Sequence, residues 1–321
     1  MLRPAALTLT VAISLLHLSL GCTILELTDE GFSRNVLWLL HGYSLYTPAN
    51  GTFYLDATQW PFKCTDTGGW GDFFATSDEL VLDWTPGVEQ PDGRECARVK
   101  ADNVIDLLHT LDVSTAELDG MAVTKLWKLQ PWLQQQVNAT LRELRGLRGP
   151  TVAFHVRGGD LLADLTVHER PMATPASMVE RAIEAFGSKA QGGTCILVGD
   201  DQEMLAQTAK VARKQLGCSI YRRVPTPRKG GYIQREFTAQ PLKDRCQQTV
   251  QLMQDIHLMM HADYFVGSFD SQLPRMLETL RFALLRKNRR SFVDASPRRE
   301  DWYETVRKYW REHTGGREVS R

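Results

Sequence analysis

The chain has 321 residues, 43% of them apolar, with 38 Lys and Arg against 38 Asp and Glu and a formal net charge of +0. That length and composition suit two domains, each with its own core. The totals show no excess of basic residues of the kind that holds nucleic acid by releasing counterions, so no nucleic-acid partner is expected.

Arg3 is followed by an apolar run from Ala5 to Leu20, interrupted only by Thr, Ser and His17, and then by Gly21 and the acidic Glu26, Asp29 and Glu30. A positive start, an apolar stretch and small residues at Ser19 and Gly21 mark residues 1–21 as a signal peptide or, left uncleaved, a signal anchor; a buried first helix is the competing reading. The run is short for a membrane span, which takes about 20 apolar residues. Any membrane contact is expected through this segment alone, and the protein is expected in the secretory pathway, in the lumen of the Golgi or ER, anchored or secreted. The acceptor sequons Asn50-Gly51-Thr52 and Asn138-Ala139-Thr140 fit that compartment.

With Cys22 assigned to the leader, an odd set remains: Cys64, Cys96, Cys195, Cys218 and Cys246. One of them is expected to stay free, and Cys64 is expected to pair with Cys96, because a staple would order the loop-rich segment that holds both. No CxxC or HxxxH spacing occurs, so no metal site is expected.

Gly31-Phe32-Ser33-Arg34-Asn35 leads into an apolar helix predicted over Val36–Leu45, then a strand over Thr52–Leu55. Residues 56–95, rich in Gly, Asp, Pro and Trp, read as loop. An amphipathic helical pattern runs from Ala122 to Leu147, past Pro131, and Gly149-Pro150 ends it. The domain boundary is placed there, giving an amino-terminal α/β domain over 22–149, a carboxy-terminal Rossmann-like domain over 150–296 and a basic, helical tail over 297–321.

The second domain alternates regularly. Strands are predicted at Thr151–Val156, Thr194–Val198, Cys218–Val224 and Tyr264–Gly267, and helices at Ser177–Ala190, Gln202–Leu216, Gln247–His261 and Ser271–Leu285. Short apolar strands separated by helices of about a dozen residues indicate a parallel, doubly wound sheet, whose ligands bind at the carboxyl ends of the strands.

Polar clusters fall at those ends. His155-Val156-Arg157-Gly158-Gly159-Asp160 offers a planar guanidinium suited to a bidentate grip on phosphate, with glycines that let backbone approach a ligand. An ion pair between Arg157 and Asp160 explains the same residues structurally. Asp201 is placed to cap the next helix, and Asp200 to orient a ligand or Arg157. Ser271 begins a helix as an anion site or as a plain N-cap. Asp255 is solvated unless its helical turn faces a cleft.

In order and approximate spacing, three elements resemble the donor-site motifs of the α-1,6-fucosyltransferases and their bacterial Nod-factor relatives. They are His155-Val156-Arg157 with Asp160, the Asp200-Asp201 pair, and Asp255 followed by Ala262 to Gln272. Gly31 to Asn35 and Trp60 to Trp70 resemble that family's amino-terminal domain, so the resemblance covers roughly residues 31–296. It implies an α/β, GT-B-like fold of two Rossmann-like domains facing a cleft. It also implies an inverting, metal-independent transfer of fucose from GDP-fucose to a hydroxyl of a glycan or glycoprotein, with no cofactor.

By motif position Arg157 would hold the β-phosphate, and Ser271, Gln272 and the backbone at Ser33 and Arg34 would add donors. His155 and Asp255 would read guanine or ribose, Asp200 and Asp201 stand for the family's paired aspartates, and Phe62 lies near the position of an aromatic residue beside the nucleoside. Two departures stand out. Gly158 and Leu161 replace the family's second arginine and its lysine, and Leu165 falls near the position of its catalytic glutamate, with Asp164 and Glu169 as the nearby carboxylates. These departures keep two alternatives in play: a catalytically silent nucleotide- or glycan-binding relative, and a GT-B transferase using another nucleotide sugar.

Overall fold

The computed structural model describes residues 22–46, 52–75, 81–82, 96–100, 115–159, 173–223 and 231–297. In chain order its elements are β1 (Cys22–Glu26), α1 (Phe32–Tyr46), β2 (Thr52–Asp56), β3 (Val81–Leu82), β4 (Ala97–Lys100), α2 (Thr115–Leu126) and α3 (Pro131–Arg145). There follow β5 (Thr151–Val156), α4 (Pro175–Phe186), β6 (Thr194–Gly199), α5 (Gln202–Leu216), β7 (Ser219–Tyr221), α6 (Gln234–Thr238), α7 (Leu242–His261), β8 (Tyr264–Gly267), α8 (Gln272–Leu285) and β9 (Phe292–Asp294). The strands form two sheets, ordered β3-β2-β1-β4 and β7-β6-β5-β8-β9, and every ladder is parallel.

The chain divides into two units, and the division is not the single cut expected at Gly149. The first unit gathers the described residues of Met1–Leu147, Ile233–Ala262 and Arg275–Arg289; the second gathers those of Arg148–Tyr232, Asp263–Pro274 and Arg290–Arg321. The chain returns to the first unit to lay down α6 and α7, and again through most of α8.

Local chemistry explains the element boundaries. Pro131 does not lie inside one long helix, as the pattern from Ala122 suggested. It occupies the first turn of α3, after Gln130 in an extended conformation, because proline sacrifices no helical hydrogen bond there and pushes its predecessor out of the α region. Thr174 starts α4 with a reciprocal capping box to Ser177, and Pro175 follows in the first turn. Asp201 caps α5, and Gly217 ends it in the left-handed conformation at φ 64.

In the second unit, Val152, Phe154 and Val156 of β5 pack with Met178, Val179 and Ala182 of α4 and with Leu205, Ala209 and Ala212 of α5. Alternate β5 residues share a face, so Ala153 and His155 point to the other side of the sheet. Truncating the fully buried Phe154 to alanine would cost about 3–5 kcal/mol through lost transfer energy and a residual cavity.

The first unit buries an aromatic cluster. Trp60 lies between Phe32, Phe62, Trp70 and Phe73, and Trp70 stacks on Phe74 at 3.9 Å between ring centroids. Arg281, also buried, donates through Nη1 to the carbonyls of Met259, Met260 and Ala262 at 2.8, 2.9 and 2.9 Å, which satisfies the open carboxyl end of α7.

The cysteine expectation is corrected. Cys22 does not belong to the leader but begins β1, and it pairs with Cys96, just before the neighbouring strand β4. Cys64 pairs with Cys246 on α7, and Cys195 of β6 with Cys218 before β7, so no cysteine is free. Cys64 and Cys96 are not partners, because the segment carrying Cys64 is stapled to a helix 182 residues later in the chain. The expected leader over 1–21, the sequon at Asn50, the residues Asp160, Asp164 and Glu169, and nearly all of the tail over 297–321 lie outside the described residues.

Candidate functional site

In strand order the second sheet reverses direction beside β5. The chain builds β5, β6 and β7 outward on one side, then returns to lay β8 and β9 on the other. Where the order reverses, the loops leaving two adjacent strands diverge and open a crevice at their carboxyl ends, the usual ligand position in such sheets. The two strands concerned, β5 and β8, end in Arg157-Gly158-Gly159 and in Ser268-Phe269-Asp270-Ser271.

Arg157 is half-buried and ion-paired through Nη1 with Asp200 Oδ2. Asp200 Oδ1 accepts the Gly158 N–H at 2.6 Å, and Oδ2 also accepts the Tyr232 N–H at 3.3 Å. One carboxylate therefore fixes both the arginine and the backbone that follows it. Gly199 permits this approach, since a β-carbon there would sit 2.2 Å from the Val156 carbonyl oxygen. Of the two roles open to Asp200, orienting Arg157 is the one the geometry displays. Asp201 accepts the Met204 N–H at 2.9 Å and is buried, so it is a helix cap.

His155, two residues before Arg157, is buried, and its Nδ1 has no hydrogen-bond partner. Burial, and after it the Arg157 charge, lowers its pKa to about 3, so the ring is neutral at physiological pH. An unpartnered buried ring nitrogen near a strand end is the sort of polar atom that a ligand satisfies.

The β8–α8 turn is tightly held. Gly267 allows Pro274 of α8 to lie against the strand end, since a β-carbon there would meet the proline ring at 2.8 Å. Asp294 Oδ1, at the end of β9, accepts the N–H groups of Phe269 at 3.0 Å and Ser296 at 2.9 Å. Ser268 Oγ donates to Asp270 Oδ2 at 2.7 Å, and the Ser271 N–H donates to the Ser268 carbonyl at 3.0 Å. Ser271 is the residue before α8, the N-cap position, and Gln272 is the first helical residue; both are half-buried.

The remaining expected residues belong to the first unit. Asp255 is half-buried on α7. Ser33 and Arg34 lie in the first turn of α1, but the Arg34 N–H donates to the Gly31 carbonyl at 3.2 Å, so it is spent within that turn. The Arg34 side chain pairs with Glu30 at 2.8 Å. Phe62 does not present an open face to a nucleoside. Its ring stacks on Phe237 at 4.7 Å, packs edge-on to Phe32 at 5.4 Å and is buried, so it is a core residue. Asn35 is fully buried and pins the β1–α1 loop. Its Oδ1 accepts the Thr28 N–H at 2.9 Å, and its Nδ2 donates to the Glu30 carbonyl at 3.0 Å.

Three residues of the second-unit site escaped the sequence reading. Asp294 follows the last predicted strand. Tyr232 and Gly231 sit in a stretch read only as a polar loop, where Gly230-Gly231 ahead of an aromatic residue was the available signal. Among the described residues no group of three His, Cys, Asp or Glu side chains is arranged to hold a metal ion, and no helix is long and apolar enough to cross a membrane.

No protein-family model matches this sequence, and no curated protein matches it. Solved structures do. The fucosyltransferase NodZ from Bradyrhizobium is similar at 13% identity and a TM-score of 0.52, over 80% of this chain and 92% of that one. A NodZ α-1,6-fucosyltransferase co-crystallised with GDP is similar at 14% identity and a TM-score of 0.50, over 79% of this chain and 91% of that one. The chain has the GT-B-like α/β fold of NodZ, the fold its motifs resemble.

Proposed function

We propose that this protein is a glycosyltransferase that binds GDP-fucose and moves fucose to a hydroxyl of a glycan or glycoprotein, with inversion at the anomeric carbon. The observation that carries the reading is Arg157. It stands at the carboxyl end of β5, where the strand order of the sheet reverses, and Asp200 holds it in place. The fold shared with a GDP-bound fucosyltransferase supports the choice of nucleotide.

In the proposed reaction the acceptor oxygen attacks the anomeric carbon from the face opposite the nucleotide. The bond from that carbon to the β-phosphate oxygen breaks, and its electron pair leaves with GDP. Negative charge therefore grows on the phosphate as the transition state forms, and the Arg157 guanidinium stabilises it more there than in the ground state. The start of α8 adds its dipole, the Ser271 hydroxyl and the N–H groups from Gln272 onward for the same diphosphate. Neutral His155 offers its ring nitrogen to the nucleoside. The acceptor proton passes to a carboxylate, for which Asp164 and Glu169, the two that flank Leu165 in the sequence, are the candidates. Charge neutralisation by protein donors makes the transfer independent of added metal, so EDTA should leave the rate unchanged.

Three disulfides that use every cysteine support an oxidising, lumenal compartment. Asn138 is exposed on α3, which suits glycan attachment at that sequon. Treatment with an N-glycosidase should shift the mass of the secreted chain, and an Asn138→Gln variant should lose that part of the shift.

The direct test is to supply GDP-fucose with a panel of glycan acceptors and measure GDP release together with fucosylated product. A second reading is favoured by Gly158, which has no side chain to join Arg157 on a diphosphate and whose N–H is bound to Asp200. A relative that keeps the nucleotide site without turnover would bind GDP and release none from GDP-fucose.

A further inference from the structure

The Arg157 guanidinium carbon lies 5.4 Å from the centre of the Tyr232 ring, over its face. A guanidinium at that distance is attracted by the negative face of the ring, and stacking also restricts its rotation. The Tyr232 N–H meanwhile donates to Asp200 Oδ2, the oxygen that is ion-paired with Arg157 Nη1. Tyr232 thus reaches the arginine twice, directly through its ring and indirectly through the shared carboxylate.

Two glycines make the arrangement sterically possible. Gly159 has φ 59, and a β-carbon on it would fall 2.0 Å from the Tyr232 carbonyl oxygen. Gly231 has φ 75, and a β-carbon on it would fall 2.3 Å from the Gly159 nitrogen. The backbone after β5 and the backbone carrying Tyr232 therefore cross in direct contact, which no larger residue at either position allows. Both glycines also adopt the left-handed conformation that other residues rarely accept.

We propose that Tyr232 is a positioning residue for Arg157, with its ring setting the plane of the guanidinium so that the fork meets a diphosphate without first being ordered. The proposal rests on the phosphate role given to Arg157 above. Asp200 fixes one end of the guanidinium, and the ring fixes the plane about that end. Holding both in advance removes the entropy cost that a flexible arginine pays on binding.

The test compares Tyr232→Phe, which keeps the ring, with Tyr232→Leu, which keeps apolar cover without a π face; Tyr232→Met replaces the leucine variant should it fail to fold. Two quantities are read on the full chain: the mobility of the Arg157 side chain by nitrogen relaxation, its signal identified by loss in Arg157→Lys, and GDP affinity by calorimetry. The phenylalanine variant should match wild type in both. The leucine variant should show a more mobile guanidinium and about threefold to tenfold weaker GDP binding. Unchanged Arg157 mobility in the leucine variant would overturn the positioning role, whatever GDP does. A loosened guanidinium in a protein whose wild type ignores GDP would uphold the stack and overturn the phosphate reading instead.

Discussion

Asp200 is the ion-pair partner of Arg157, and the same carboxylate takes the Gly158 N–H at 2.6 Å, so a residue of one strand end sets the geometry of its neighbour. Replacing Asp200 with alanine removes a charge-assisted contact from a half-buried guanidinium and leaves the Gly158 and Tyr232 N–H groups without this acceptor. The expected cost is about 1.5–3 kcal/mol of stability. Nucleotide affinity should fall beyond that of a control variant of equal stability. Urea unfolding and GDP calorimetry on the same preparations check both. An Asp200→Ala protein with wild-type stability would show that the pair contributes nothing.

Two buried histidines set an acid limit. The pKa of His155 is lowered to about 3 by burial and then by Arg157, and that of His257 to about 3 by burial and then by His261, against 6.5 in the unfolded chain. Above pH 6.5 neither state binds these protons, so the two groups do not affect folding there. As pH falls from 6.5 toward 3, the unfolded chain takes up protons that the folded one refuses. Stability then drops by up to about 1.4 kcal/mol per pH unit for each group. His257→Gln should flatten the decline measured by urea unfolding at pH 7 and pH 5; equal slopes in variant and wild type would reject the account.

Asn35 holds the β1–α1 loop of the first unit from a fully buried position. Alanine there strands the Thr28 N–H and the Glu30 carbonyl. The loss expected is about 1–3 kcal/mol, chiefly from the half-buried Thr28 N–H left without its acceptor, since Glu30 is exposed and its carbonyl can turn to water. Chemical denaturation measures it, with Asn35→Asp as a companion that keeps the acceptor and loses the donors. Of the two, the aspartate variant should retain the Thr28 contact and lose the Glu30 contact.

How legible these features were depends on how local their causes are. The strands Thr151–Val156 and Tyr264–Gly267 are short, mostly apolar runs with a glycine at the end or within two residues of it, and their register is set by the same residues that mark them. Arg157, Asp201 and Ser271 could be placed because strand ends and helix caps announce themselves within a few residues. β1 was missed because its Cys-Thr-Ile-Leu follows one residue after the apolar run Ala5–Leu20, leaving no clear boundary between them. The disulfides were illegible for a different reason: six cysteines allow 15 connectivities, and Cys64 finds its partner only when α7 returns to the first unit. Phe62 resembled a ligand-facing aromatic by position, but it packs against Phe237, which the sequence separates from it by most of the chain. Tyr232 and Gly159 meet across a shorter but still long gap, and nothing near either one in the sequence points to the other.

The diphosphate role proposed for Arg157 is open to calorimetric titration of GDP into wild type and Arg157→Lys. Lysine keeps the charge and loses the planar fork that two phosphate oxygens share. A folded, equally stable lysine variant should bind GDP clearly more weakly than wild type. In the transferase assay its turnover should fall further still, by about 10²–10³, because phosphate charge grows toward the transition state. A lysine variant that is as stable as wild type and binds GDP equally well would contradict that role.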